Sequence, residues 1–142
     1  MDNFLTLFDL LGELARQRYQ AAERSFSTLR LNHSEARLLT LLGQQGGTDT
    51  QDALSNLIFV DRSNAGRALK HLELDGHIER HQDADDKRTN LVQITVKGKT
   101  TVAEISKIRK EMAHRFFGEL NADEAGLIVG LLGKALTNDD HA

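Results

Sequence analysis

The chain has no cysteine among its 142 residues, which excludes disulfides, thiolate zinc sites, cysteine nucleophiles and thiol redox switches. Proline is also absent, so no proline kink and no cis X–Pro bond enters the reading. Basic residues are not in excess: 18 Lys and Arg face 21 Asp and Glu, for a formal net charge of -3. That balance excludes a polybasic surface gripping nucleic acid over its whole extent. No apolar run approaches the roughly 20 residues that span a bilayer. The segment before Arg16 carries acids and no base, the wrong sign for a secretory signal. A cytoplasmic protein without a membrane partner is expected. Apolar residues at 39% and charged residues at 27% suit a globular chain of one domain, or one compact subunit of an oligomer.

Helical periodicity opens the sequence. Phe4, Leu7, Phe8, Leu11, Leu14 and Ala15 recur on one face. At Asn32-His33-Ser34-Glu35 the side chains of Asn32 and Glu35 are spaced to bond each other's backbone amides, a capping box. The helix it starts buries Ala36, Leu39 and Leu42 and stops at Gly43, Gly46 and Gly47. Thr48 to Thr50 offer a cap for a short helix built on Ala53, Leu54, Leu57 and Ile58, and after a break at Phe59-Val60, Asp61 caps the next. That helix runs from about Arg62 to Leu74 and closes at Asp75-Gly76. The period then shortens to two. His77 to His81 and Leu91 to Val96 read as strands, the second turning Val92, Ile94 and Val96 inward, with a charged loop from Gln82 to Asn90 between them. Beyond Gly98 a long helix carries Val102, Ile105, Ile108, Met112 and Phe116. A second capping box at Asn121 to Glu124 starts a last helix that buries Leu127, Ile128, Leu131 and Leu132.

Three short helices followed by a hairpin make a winged helix-turn-helix. The expected fold is mainly α with a small β-hairpin wing. Residues 31–99 form the winged lobe, and residues 1–30 and 100–142 form a helical dimerisation region. The flanking helices carry apolar stripes too large for so small a core, and a second copy is their simplest cover.

The helix from Arg62 divides cleanly on a wheel of about 100° per residue. Ala65, Ala68, Leu69 and Leu72 gather on one side, and Ser63, Asn64, Arg67, Lys70 and His71 on the other. With Arg62 the polar side has three basic groups and no acid before Glu73, although the whole protein is acidic. A merely solvated face interleaves both signs. Arg matches guanine, Asn matches adenine and Lys suits phosphate or guanine, so this face is equipped to read a major groove. Lys87-Arg88 in the hairpin loop adds a basic fingertip suited to the adjacent minor groove.

The stretches Phe59 to Ser63, Leu72 to Arg80, and Asp83 to Arg88 followed by Leu91 to Thr95 and Gly98 together resemble the multiple-antibiotic-resistance regulator (MarR) family. The resemblance covers the whole chain and implies a homodimeric, sequence-specific regulator of transcription, expected to be a ligand-responsive repressor on a pseudo-palindromic operator. It assigns the recognition-helix roles to Arg62, Ser63, Asn64 and Arg67, extending to Lys70 and His71. In the wing it gives Arg88 the minor-groove contact, beside Lys87, and has Asp86 brace that arginine. It also implies a small aromatic or anionic effector held between the dimer helices and the winged lobe. Arg16, Tyr19, His33 and Arg37 are the candidate lining, with Phe26 and Phe116 as apolar walls; the alternative for the aromatics is plain core packing. Two departures stand out: Ala84 occupies a wing position where many relatives have proline, and Gly66 sits inside the recognition helix. Gly66 either lets backbone approach DNA closely or fits a crowded turn.

Other chemistry finds less support. His77 and His81 are four apart, with Asp83 and Asp85 nearby, but a metal pair at that spacing wants a helix where this stretch reads as strand. No metal site, cofactor or enzymatic activity is expected, there being no nucleophile elbow and no phosphate loop. Two alternatives remain: a winged-helix module that binds protein without reading DNA, and a zinc-responsive regulator.

Overall fold

The computed structural model describes residues 1–58 and 62–138, with Arg62 described by its backbone alone. Its helices are α1 (Asn3–Phe26), α2 (His33–Gln44), α3 (Gln51–Ile58), α4 (Arg62–Leu74), α5 (Val96–Phe116) and α6 (Ala122–Leu136). The strands are β1 (Thr48–Thr50), β2 (Ile78–Gln82) and β3 (Asn90–Ile94). The order helix, helix, short helix, helix, hairpin, long helix, helix is the expected one. The break at Phe59-Val60 and the cap expected at Asp61 lie outside the described residues.

Both capping boxes form. Asn32 Oδ1 accepts from the Glu35 N–H at 2.8 Å while Glu35 Oε1 accepts from the Asn32 N–H at 2.8 Å. Asn121 and Glu124 repeat the exchange at the start of α6. In each case two otherwise orphaned amides are satisfied by the residues that announce the helix in the sequence.

The core gathers around α2. Leu38, Leu39 and Leu42 of α2, Leu54 of α3, Leu69 and Leu72 of α4, Ile78 and Val92 of the hairpin and Ile105 of α5 are fully buried. Every inward residue expected of α4 is buried: Ala65, Ala68, Leu69 and Leu72.

The strand readings need adjustment. Thr48 to Thr50 form an edge strand against β3, with Thr48 opposite Gln93 and Thr50 opposite Leu91. The sheet therefore has three strands in the order β1-β3-β2. Thr50 still acts as a helix cap, its hydroxyl oxygen accepting from the Ala53 N–H at 3.1 Å. Strand β3 stops at Ile94, because Thr95 caps α5 by accepting from the Gly98 N–H at 3.1 Å and anchors itself by donating to the Gly76 carbonyl at 2.6 Å. Val96 consequently starts a helix and is exposed, contrary to the inward position expected of it.

Two glycines make this junction. Gly76 adopts φ +80° just past α4, the left-handed position that glycine takes without steric cost. Gly98 is forced by proximity, since a Cβ there would stand 2.2 Å from the His77 carbonyl oxygen. The close approach ties the start of α5 to the turn that follows α4.

The flanking helices behave differently from the lobe. Of α1 only Ala22 and Phe26, near its C-terminus, are buried, and α6 has no buried residue. The apolar stripe of α1 is exposed in the single chain, as are Leu127, Ile128 and Leu131 of α6, with Leu132 half-buried. The expectation that α6 buries these leucines is not met within one chain.

Candidate nucleic-acid interface and effector cleft

Helix α4 presents Ser63, Asn64, Arg67, Lys70 and His71 outward, opposite the face packed on the core. Its first turn contains no acid. The first acid, Glu73, is engaged by Arg80 of β2 at 3.0 Å, which removes it from the outer face as a free carboxylate. The helix N-terminus adds its partial positive charge where Ser63 and Asn64 stand. Arg67 donates to the side-chain oxygen of Asn64 one turn earlier, so the two groups best suited to base edges are held together. The side chain of Arg62 lies outside the described residues.

His71 is half-exposed but engaged. Its Nδ1 donates to the carboxylate of Glu35, a buried side chain of α2, and its Nε2 stands 3.5 Å from Asp75. Sequence reading grouped it with the DNA-facing residues; the geometry makes it a tie between α4 and α2.

Residue Gly66 is not crowded. Among the described residues, a Cβ there would meet only the Gln51 amide nitrogen, at 3.9 Å, which does not support the reading of a tight turn.

The wing is shaped by its acids. Asp86 accepts from the Arg88 N–H at 3.0 Å and from the Thr89 hydroxyl at 3.1 Å, and Asp83 accepts from the Asp85 N–H at 3.0 Å. Asp86 thus braces the backbone of Arg88 rather than its guanidinium. Lys87 and Arg88 are exposed at the tip. Arg88 shares a shallow hollow with Thr50, Gln51 and Asp52, at the foot of α3.

A separate cleft of about 260 Å³ opens between α1, α2 and α5. His33 and Arg37, both singled out in the sequence, line it, and Phe26 forms part of its wall. Tyr19 stands behind His33, edge-on at 5.5 Å between ring centroids. Arg16 is not part of it; that guanidinium is paired with Glu13 on the exposed side of α1. Phe116 lies instead in a neighbouring hollow with Met112. Sequence reading missed Arg18 and Arg109, which bring two further guanidiniums to the cleft from α1 and α5. The imidazole of His33 is held below its ordinary pKa by burial first, then by the fields of Arg18 and Arg37. Its Nδ1 is buried with no hydrogen-bond partner.

Metal chemistry gains nothing from the geometry. Among the described residues, no group of three or more His, Asp or Glu side chains is arranged to hold a metal ion. His77 is buried, whereas His81 is exposed beside Glu79. Among the described residues, no helix is long and apolar enough to cross a membrane.

Known proteins bear on this geometry. A family model described as the MarR family matches residues 31–89, from just before α2 to the wing loop that precedes β3. YkoM, an HTH-type transcriptional regulator of Bacillus subtilis (strain 168), is 32% identical over 110 residues, which are 78% of this chain and 71% of that protein. The transcriptional repressor MprA of Escherichia coli (strain K12) is 28% identical over 103 residues, 72% of this chain and 58% of that protein. Among solved structures, a mutant MarR from E. coli complexed with operator DNA aligns with a TM-score of 0.78 at 22% identity, covering 94% of this chain and 96% of that one. Its likeness is one of fold, and it extends beyond the winged lobe to the flanking helices. The chain belongs to the MarR family of helix-turn-helix transcriptional regulators.

Proposed function

We propose that the chain is a cytoplasmic, ligand-responsive repressor that binds a pseudo-palindromic operator as a homodimer and has no catalytic role. The observation that carries this reading is the outer face of α4, basic and free of unpaired acid, backed by a fully buried inner face and flanked by the basic wing tip. Helix α4 enters the major groove with Ser63, Asn64 and Arg67 towards base edges and Lys70 towards phosphate. Arg88, its backbone fixed by Asp86, reaches the minor groove with Lys87 beside it.

Residues 1–30 and 100–142 form the dimerisation region, because Phe4, Leu7, Phe8 and Leu11 of α1 and Leu127, Ile128, Val129 and Leu131 of α6 are exposed in the single chain. Two-fold symmetry then presents two α4 helices to successive major grooves about 34 Å apart. The complex of E. coli MarR with operator DNA and the repressor named among the relatives support both the target and the sign of regulation. The cleft between α1, α2 and α5 lies between the dimer helices and the winged lobe, where a bound effector can favour one spacing of the two lobes over another.

Selecting bound duplexes from a random pool tests the reading. Enrichment of a two-fold-related sequence with half-sites one helical turn apart is expected. A pool that remains random contradicts it and favours a protein-binding module.

A further inference from the structure

We propose that the cleft between α1, α2 and α5 takes a small polyanion, a compound with two or more carboxylate or phosphate groups, in preference to a singly charged aromatic acid. The inference rests on the reading of this chain as an effector-responsive regulator and adds the charge class of the effector.

Charge arithmetic carries it. Arg18 of α1, Arg37 of α2 and Arg109 of α5 all line the cleft, one guanidinium from each wall. Among the described residues none of the three forms an ion pair, whereas Arg16 and Arg80 elsewhere each hold a carboxylate. No acidic residue lines the cleft. Glu23 is the carboxylate whose field at His33 opposes those of the arginines, and one of its oxygens is already occupied by the His33 backbone N–H at 2.7 Å. Three positive charges less one negative leave two, which a monoanion halves and a dianion cancels. Guanidinium binds carboxylate and phosphate in paired hydrogen bonds, so charge and geometry ask for the same groups.

The remaining lining sets the frame of the ligand. His33 lines the cleft as well, its imidazole held below its ordinary pKa by burial first and then by Arg18 and Arg37. Gln44 offers an amide, and Phe26 and Ile105 form an apolar side. A volume of about 260 Å³ lies just under the roughly 300–1,000 Å³ of drug-sized sites, so the frame is short. A ligand joining the three guanidiniums pulls α2 towards α1 and α5. Arg37 and Glu35 belong to the same helix, and Glu35 holds His71 of α4, so a displacement of α2 as a whole reaches α4.

Isothermal titration calorimetry of the full chain without DNA, at constant ionic strength, tests the inference with citrate, succinate, pyrophosphate and benzoate. At least one polyanion is expected to bind about tenfold or more tightly than benzoate. Citrate or succinate leading identifies a polycarboxylate, and pyrophosphate leading identifies a phosphorylated effector. Arg37→Gln and Arg109→Gln, shown to be folded by circular dichroism, should each weaken that binding about tenfold or more. Benzoate binding as tightly as the polyanions overturns the inference. So does equal affinity in both variants, or no binding at all, as when the acids of a second copy fill the cleft. Anisotropy with the selected duplex keeps the two readings apart: duplex binding without polyanion binding sinks this inference alone, and loss of duplex binding sinks the earlier reading while the calorimetry still stands.

Discussion

Glu35 of α2 is joined to His71 of the recognition helix by a hydrogen bond from the imidazole Nδ1 to its buried carboxylate. The same carboxylate closes the capping box at the start of α2 through its other oxygen. One side chain therefore fixes the beginning of α2 and its angle to α4. Buried carboxylates are costly unless every oxygen is engaged, and here both are.

Substitution separates the two duties of Glu35. Glutamine preserves the capping box, because either Glu or Gln serves at that position, while it discards the charge opposite His71. Glu35→Gln is expected to leave stability within about 1 kcal/mol of the parent, whereas Glu35→Ala loses cap and tie together and costs about 1–3 kcal/mol. Urea unfolding reads both values. Equal losses in the two variants contradict this division.

Acid should weaken the fold through two histidines. His33 and His77 are both held below the usual 6.5, each by burial first, then by Arg18 and Arg37 for His33 and by Lys97 for His77. Around His77, Asp75 and Glu35 pull the other way, and His71 adds to the lowering. A histidine depressed in the folded state binds protons more readily when unfolded, so stability is lost as pH falls through about 6.5 and below. Denaturation midpoints at about pH 7.5 and about pH 5.5 should differ more in the parent than in His77→Gln, because the variant removes one of the two linked sites. Identical shifts in both proteins refute the assignment.

The uncrowded Gly66 makes an exchange of stability against affinity measurable. Alanine is a better helix former by about 1 kcal/mol, and among the described residues its methyl group meets nothing closer than 3.9 Å. Gly66→Ala should unfold at higher denaturant yet bind the selected duplex more weakly, if the α4 backbone lies close against DNA. Gains in both properties would show that the glycine has no part in docking.

Assembly is open to direct test. Phe4 and Phe8 of α1 are 86% and 76% exposed in the single chain, and Leu127 and Val129 of α6 are 66% and 71% exposed. Apolar surface of that extent marks an interface. Light scattering is expected to give twice the 15.8 kDa subunit mass, and Phe8→Asp combined with Leu127→Asp to give one. A single-subunit mass for the parent at micromolar concentration contradicts the dimer.

How far the sequence could be read follows from the range of the interactions involved. The inner face of α4, from Ala65 to Leu72, and both capping boxes depend on residues within about one turn of each other, so spacing alone discloses them. Strand β1 is three polar residues long and exists only because Leu91 to Gln93 lie beside it, a partner no local pattern reveals. Val96 was misplaced because alternation ran past the point where Thr95 turns the chain into α5. His71 shares its wheel position with the residues expected to face DNA, and its tie to Glu35 is brought about by the fold alone. In the cleft, His33 and Arg37 follow from the family resemblance. Arg18 and Arg109 come from helices far apart in sequence, and packing alone unites them with α2.

The central claim is that the α4 face and the wing tip together dock on duplex DNA. Measuring duplex affinity against salt concentration for the parent, Arg67→Ala and Arg88→Ala tests it most directly. The account predicts affinity that falls steeply with salt in the parent and a loss of about 1–3 kcal/mol in each variant. Affinity indifferent to salt, or unchanged in both variants, would contradict it.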